Sequence, residues 1–343
     1  MRNAYISGTG SYVPENVVTN DDLNAIYGLE TDDAWIQKRT GIKARRYADV
    51  GVRTSDLALI ASRHAIEAAG LQPSDIGMIL FASLSQDHVF PGGGCYLQEK
   101  LGLCEGAGAT FAPAMDIRTQ CSGFVYGLGT AAAMVQSGAV EHVLLVGAEL
   151  HSAGLDLTKR GRTVAALFGD GAGAVVVSAT DEDRGIRYWK CGADGRHADQ
   201  LAQKIWDTAQ RPFIPTDAEG NGIVKPEMLW ANMNGRLVFK NAVERMSFGL
   251  IAACQDQGIT GEDIDLYCFH QANMRINQYV AQTLGIPEEK LVHNIDRYGN
   301  TTAATIPLLL DEAARDGTLK PGMKVACVAF GSGFTWGAAI IDW

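Results

Sequence analysis

AIEAAGLQPSDIGMILF, residues 65–81, has a counterpart in ACQDQGITGEDIDLYCF, residues 253–269, at a constant offset and with no gap. Each reads as the end of a helix, a glycine stop, a short loop carrying Asp-Ile, and then a buried strand. A second pair of segments follows in the same order. The run after Cys121 passes through a helix to Ser-Gly-Ala-Val-Glu-His, the strand Val-Leu-Leu-Val-Gly, and Phe168-Gly-Asp-Gly-Ala-Gly. The run after Asn300 passes through a helix to Asp-Gly-Thr-Leu-Lys-Pro-Gly, the strand Lys-Val-Ala-Cys-Val-Ala, and Phe330-Gly-Ser-Gly-Phe-Thr-Trp-Gly. Helix–glycine–strand patterns are common in α/β proteins, but two matches in one order favour duplication. The reading is two βαβ-type halves, residues 1–180 and 181–343, with continuous, buried strands. Such a pseudo-dimer sets equivalent loops of the two halves beside a shared cleft.

The 343 residues, 47% hydrophobic, suffice for one large core or two fused smaller ones. The seven cysteines are odd in number, scattered and without a CxxC pair, which points to reduced thiols in a cytoplasmic protein. No HxxxH or HExxH spacing is present, so no metal is expected. A net charge of −10 excludes a generally basic nucleic-acid binder. The start, Met-Arg-Asn-Ala-Tyr-Ile-Ser-Gly, enters a strand without a signal peptide's apolar core. No uncharged apolar run is long enough for membrane insertion.

Three residues stand out for chemistry. Cys121, in Met115-Asp-Ile-Arg-Thr-Gln-Cys-Ser-Gly-Phe-Val-Tyr-Gly127, follows a strand-like run and opens a long Ala/Gly/Val-rich helix. Free N–H groups and the positive dipole end at a helix start favour thiolate over thiol. His270 follows the buried strand Asp-Leu-Tyr-Cys-Phe and precedes Gln271-Ala-Asn273, where Asn273 is able to cap a helix. Open α/β folds place reactive groups at such strand ends. Asn300, in Arg297-Tyr-Gly-Asn-Thr-Thr-Ala-Ala-Thr, again follows a glycine turn before a helix; alone it reads as an ordinary N-cap. Together, a thiol, an imidazole and an amide are the parts that acyl transfer through a thioester requires. The glycine-rich segments do not change this. In Gly8-Thr-Gly10-Ser-Tyr-Val13-Pro14, Val13 stands where a dinucleotide fingerprint needs its third glycine, and Phe168-Gly-Asp-Gly-Ala-Gly lacks a P-loop's Lys-Ser/Thr.

The Cys121 segment, His270-Gln-Ala-Asn273, Tyr298-Gly-Asn300-Thr-Thr-Ala-Ala-Thr and Phe330-Gly-Ser-Gly-Phe-Thr-Trp-Gly jointly resemble β-ketoacyl-acyl carrier protein synthase III. The resemblance covers essentially the whole chain, including Trp35-Ile-Gln-Lys-Arg-Thr-Gly-Ile. It implies an α/β, thiolase-like fold whose two duplicated halves form five α-β-α-β-α layers. It also implies decarboxylative condensation of an acyl-CoA primer with malonyl-acyl carrier protein through an acyl-Cys121 thioester. CoA is then part of a substrate, and no cofactor is needed. His270 and Asn300 would hold the malonyl thioester carbonyl and its enolate. The backbone N–H groups of Cys121 and Ser332 would form the oxyanion hole.

Further roles follow by position. Trp35 would stack on the CoA adenine, with Arg39 near the phosphates and Arg162, or alternatively Arg160, opposite the ring. Asn273 would contact the pantetheine arm or an ordered water. Phe90, Gln120, Phe124 and Phe330 would border the acyl pocket, Phe90 from across a homodimer interface. Gln282-Thr283 stands where many members carry a basic pair for docking the acidic carrier protein, leaving Arg236, Lys240 and Arg275 as candidates. The glycine triplet usual in the last motif is Gly331-Ser-Gly333, which keeps the N–H but restricts the backbone. A relative that transfers an acyl group to another acceptor without decarboxylation is the alternative.

Overall fold

The computed structural model describes residues 2–106 and 108–343. Apolar runs bounded by glycine turns become strands buried on both faces, and they assemble into two sheets of one plan. In the first, β1 (Asn3–Tyr12), β2 (Met78–Ala82), β3 (Ala114–Ile117), β4 (His142–Glu149) and β5 (Gly171–Thr180) take the order β1-β5-β4-β2-β3. In the second, β6 (Gly185–Ala193), β7 (Leu266–Phe269), β8 (Lys324–Gly331) and β9 (Thr335–Asp342) take the order β6-β9-β8-β7. Three pairings of the first sheet recur in the second. The β1·β5 and β6·β9 pairs are antiparallel, as are β4·β5 and β8·β9. The β2·β4 and β7·β8 pairs are parallel. A single parallel bridge from Tyr267 to Leu291 stands where β3 lies in the first sheet.

Six helices position the rest: α1 (Asp33–Thr40), α2 (Thr54–Ala68), α3 (Gly123–Gln136), α4 (Gly235–Gln257), α5 (Met274–Leu284) and α6 (Thr305–Arg315). The helix α3 is apolar on nearly every side, so it must be covered all round. It lies with α6 between the sheets, touching β4 and β1 on one side and β6 and β9 on the other. The helix α2 covers the outer face of the first sheet, and α4 with α5 covers that of the second. The result is five layers, α-β-α-β-α. The central layer is dry: Phe124, Leu128, Leu145, Val175, Leu309 and Val325 share one buried cluster.

The quoted repeat appears as matching elements. Both α2 and α4 stop before a glycine of positive φ, Gly70 at 70° and Gly258 at 64°. A single 3-10 turn follows in each, Pro73–Asp75 or Gly261–Asp263, and leads into β2 or β7. Where the central layer meets the first sheet, Gly147 in β4 abuts the turn Thr302–Ala304. A Cβ on Gly147 would lie 2.2 Å from the Ala303 carbonyl oxygen, so no side chain fits there. Gly147→Ala is expected to lower stability by about 1–3 kcal/mol through this overlap. Gly195→Ala, at a position with open space around it, should stay within about 0.5 kcal/mol of wild type. Urea unfolding of both variants checks the difference.

Candidate active site

Cys121 occupies a one-turn 3-10 helix, Gln120–Ser122, between the end of β3 and the start of α3. Ser332 and Thr302 line the cleft beside it, and their polar groups favour its ionised form. The close approach of the β8–β9 hairpin requires Gly331, where a Cβ would lie 2.8 Å from that of Cys121. Ser332, the next residue, keeps an ordinary negative φ and donates its hydroxyl to the Leu201 carbonyl.

The helix start does not yield the expected thiolate. Burial pushes the Cys121 thiol up from 9 to about 12, the Glu149 carboxylate adds to the effect, and the neighbouring polar groups of Ser332 and Thr302 offset only part. A rise of that size corresponds to roughly 4 kcal/mol. A helix dipole at a terminus supplies about 0.3–1 kcal/mol. Desolvation therefore wins, and Cys121 rests as a thiol.

His270 follows β7 and is held by its backbone N–H on the Val328 carbonyl, 2.9 Å away. Its Nδ1 lies 2.7 Å from Thr305 Oγ1, and its buried Nε2 has no partner among the described residues. Burial brings the imidazole down to about 3, so it is neutral. The Thr305 hydroxyl also lies 3.0 Å from the Thr302 carbonyl. With its proton on that carbonyl it accepts from Nδ1–H and leaves Nε2 a bare lone pair. Turned to Nδ1, it leaves the ring proton on Nε2.

Asn300 joins the two halves. Its N–H donates to the Leu167 carbonyl at 2.8 Å, and its own carbonyl accepts from Gly169 at 3.2 Å. Its Oδ1 accepts from the Thr302 N–H at 2.8 Å, which commits the carbonyl end of the amide inward and leaves the NH2 as the free end.

Cys121, Thr302 and Ser332 line a cleft of about 1110 Å³ that extends past Phe168 to Trp206 and Trp230. Gln120, next to Cys121 in the chain, borders it. Phe124 and Phe330 do not line it. Phe124 turns into the central layer, and Phe330 packs against Phe334, centroids 4.9 Å apart, under α4 and α5. Phe90 is 84% exposed and does not line this chain's cleft.

Away from the sulfur, Trp35 carries two guanidinium groups over its ring, Arg39 at 4.4 Å and Arg162 at 5.8 Å from the centroid. Arg160 is instead paired with Asp156, which separates the two arginines. Asn273 caps α5 through the Arg275 N–H and donates to the Arg39 carbonyl, tying α5 to α1. Arg236, Lys240 and Arg275 are exposed.

Four site residues escaped the sequence reading. Thr302 and Thr305 lie inside the Asn300 motif, two and five residues on. Glu149 ends β4 and accepts from the Leu84 and Ser85 N–H groups; burial pushes it up to about 7. His151 lies just beyond β4, the same strand-end position that singled out His270.

Residues 115–195 match the family described as 3-oxoacyl-[acyl-carrier-protein (ACP)] synthase III, and residues 254–343 match its C-terminal counterpart. The chain is 36% identical to 3-oxoacyl-[acyl-carrier-protein] synthase III from Aquifex aeolicus VF5, covering 99% of this chain and 100% of that one, with a TM-score of 0.86. It belongs to the 3-oxoacyl-[acyl-carrier-protein] synthase III family. The synthase III from Thermus thermophilus is 38% identical over 99% of both chains, with a TM-score of 0.87. The priming β-ketosynthase of the R1128 polyketide pathway is 29% identical, covering 99% of this chain and 96% of that one, with a TM-score of 0.87. The family is one of condensing acyltransferases, and its fold is thiolase-like.

A thiol raised this far is almost wholly protonated near neutral pH. Its labelling by iodoacetamide should quicken about tenfold per pH unit between about pH 7 and pH 10. Peptide mapping by mass spectrometry follows Cys121 apart from the other cysteines; a plateau within that range would contradict the burial argument.

Proposed function

We propose that the chain condenses an acyl-CoA primer with malonyl-acyl carrier protein, with Cys121 as the acyl carrier, to give a 3-oxoacyl-acyl carrier protein. The observation that carries this is the set of groups joined at the Thr302 turn, which lines the cleft with Cys121. The hairpin bearing Ser332 lies against Cys121, while His270 Nε2 and the Asn300 NH2 have no partner among the described residues.

In the first half-reaction the sulfur attacks the acyl-CoA carbonyl. The oxyanion sits between the N–H groups of Cys121 and Ser332, and CoA leaves with the proton that the thiol gave up. In the second, malonyl thioester loses carbon dioxide and its electron pair becomes an enolate. The enolate oxygen is held by His270 Nε2–H and the Asn300 NH2, with the Thr305 hydroxyl turned to donate to Nδ1. The enolate carbon attacks the acyl-Cys121 carbonyl, and collapse of that adduct expels the sulfur, which is reprotonated. Two neutral donors suffice because decarboxylation itself supplies the carbanion.

Trp35 with Arg39 and Arg162 forms a flat cationic clamp suited to the adenine and phosphates of CoA. Asn273 lies between this clamp and α5, beside the expected path of the pantetheine arm. Arg236, Lys240 and Arg275 offer exposed positive charge to an acidic carrier protein in a chain of net charge −10. The working unit is a homodimer. An unpaired edge at β3, with Met115, Phe90 and Phe111 exposed, supports a second copy there. Such a protein operates in the cytoplasm, where its CoA and carrier-protein substrates are found.

Carbon dioxide release should require acyl-CoA and the malonyl thioester together. In His270→Ala or Asn300→Ala, acylation of Cys121 should persist while condensation falls by about a hundredfold or more. Radiolabelled malonyl thioester with intact-mass detection of the acyl-enzyme separates the two; equal loss of both half-reactions would contradict the assigned roles.

A further inference from the structure

A second imidazole stands on the acyl side of Cys121. His151 is 7% exposed and lines the cleft beside Gln120, Cys121 and Thr302. Its Nε2 lies 2.6 Å from Thr302 Oγ1, the hydroxyl that also favours the ionised form of the Cys121 thiol beside it in the cleft. Its Nδ1 makes no hydrogen bond with another side chain among the described residues, and Phe168 backs the ring with centroids 4.5 Å apart. No step of the condensation uses this ring. Burial holds the thiol near 12 and the His151 imidazole near 3, so the proton stays on sulfur and His151 does not serve as its base.

Acylation changes what Thr302 can do. A thioester sulfur has no proton to give and is a poor acceptor, so the Thr302 hydroxyl turns its proton to the imidazole Nε2. A neutral ring that accepts at Nε2 carries its own proton on Nδ1, and that N–H is offered to the cleft. Cys121, Thr302 and His151 line the same cleft, which places Nδ1 within hydrogen-bond reach of atoms a few bonds beyond the thioester carbonyl. Gln120 adds an amide to the same wall. Its backbone is held at φ 46°, a strained setting for a residue with a side chain. A plain alkyl chain lying here would leave both donors desolvated and unpaired.

We propose that His151, with Gln120, selects acyl groups bearing an oxygen acceptor (hydroxyl, oxo or carboxylate) on the third or fourth carbon, over alkyl groups of equal length. The proposal rests on the reading of Cys121 as the acyl carrier.

The test measures kcat/KM for acylation of the full-length protein by butyryl-CoA, 3-hydroxybutyryl-CoA and succinyl-CoA, followed by intact mass. Wild type should favour at least one oxygenated primer over butyryl-CoA by about tenfold or more. His151→Leu should reduce that ratio by about tenfold, and His151→Gln, which keeps a donor, should recover part of it. Thermal melts report whether each variant folds, and if His151→Leu does not, the wild-type ratio with His151→Gln still decides. A wild-type preference for butyryl-CoA over both oxygenated primers, or a ratio untouched by His151→Leu, overturns the proposal. Failure of every acyl-CoA to label Cys121 overturns the condensing reading itself, and the proposal with it.

Discussion

Two contacts that only glycine permits hold the site together. Gly147 lets the turn bearing Thr302 lie against β4, and Gly331 lets the β8–β9 hairpin lie against Cys121. A methyl group at either would force apart backbone from opposite halves of the molecule. The site needs both approaches at once. One brings Thr302 to the cleft beside Cys121, and the other brings Ser332. Neither half of the chain contains these groups alone, so the chemistry exists only at the seam of the duplication.

The same seam sets the electrostatics. Closing two sheets over a central helical layer removes water from Cys121, His270, His151 and Glu149 together. Burial then drives every one of them toward its neutral form: the thiol and carboxyl up, the imidazoles down. A dry site of neutral donors suits a reaction whose charge arises only when a thioester carbonyl is attacked or a carboxylate is lost. Fixed dipoles in such a site act on the developing oxyanion without first being screened by water. It also explains why a thiol at a helix start need not be a thiolate at rest.

Much of this could be read from the chain before its coordinates. The helix–glycine–strand repeat exposed the duplicated plan because glycine stops and continuous apolar strands are local signals. Cys121, His270 and Asn300 were visible for the same reason, each at a junction between regular elements. The surroundings of Phe124 and Phe330 were not legible, because their neighbours depend on helix rotation and on which face of a hairpin packs inward. Sequence spacing near a nucleophile carries neither. Glu149 and His151 went unnoticed at the end of a strand whose apolar run drew attention away from its last residues. Thr302 and Thr305 lay inside a recognised motif, yet their hydroxyls acquire meaning only once two other segments, bearing Cys121 and His270, fold against them.

The central claim is that one buried sulfur carries an acyl group between two thioesters. Intact-mass measurement after incubation with acyl-CoA, then with malonyl-acyl carrier protein, tests it most directly. The account predicts an acyl adduct in wild type that is absent from Cys121→Ala, and its discharge with formation of 3-oxoacyl-acyl carrier protein. Acylation and condensation by Cys121→Ala at the wild-type rate would contradict it.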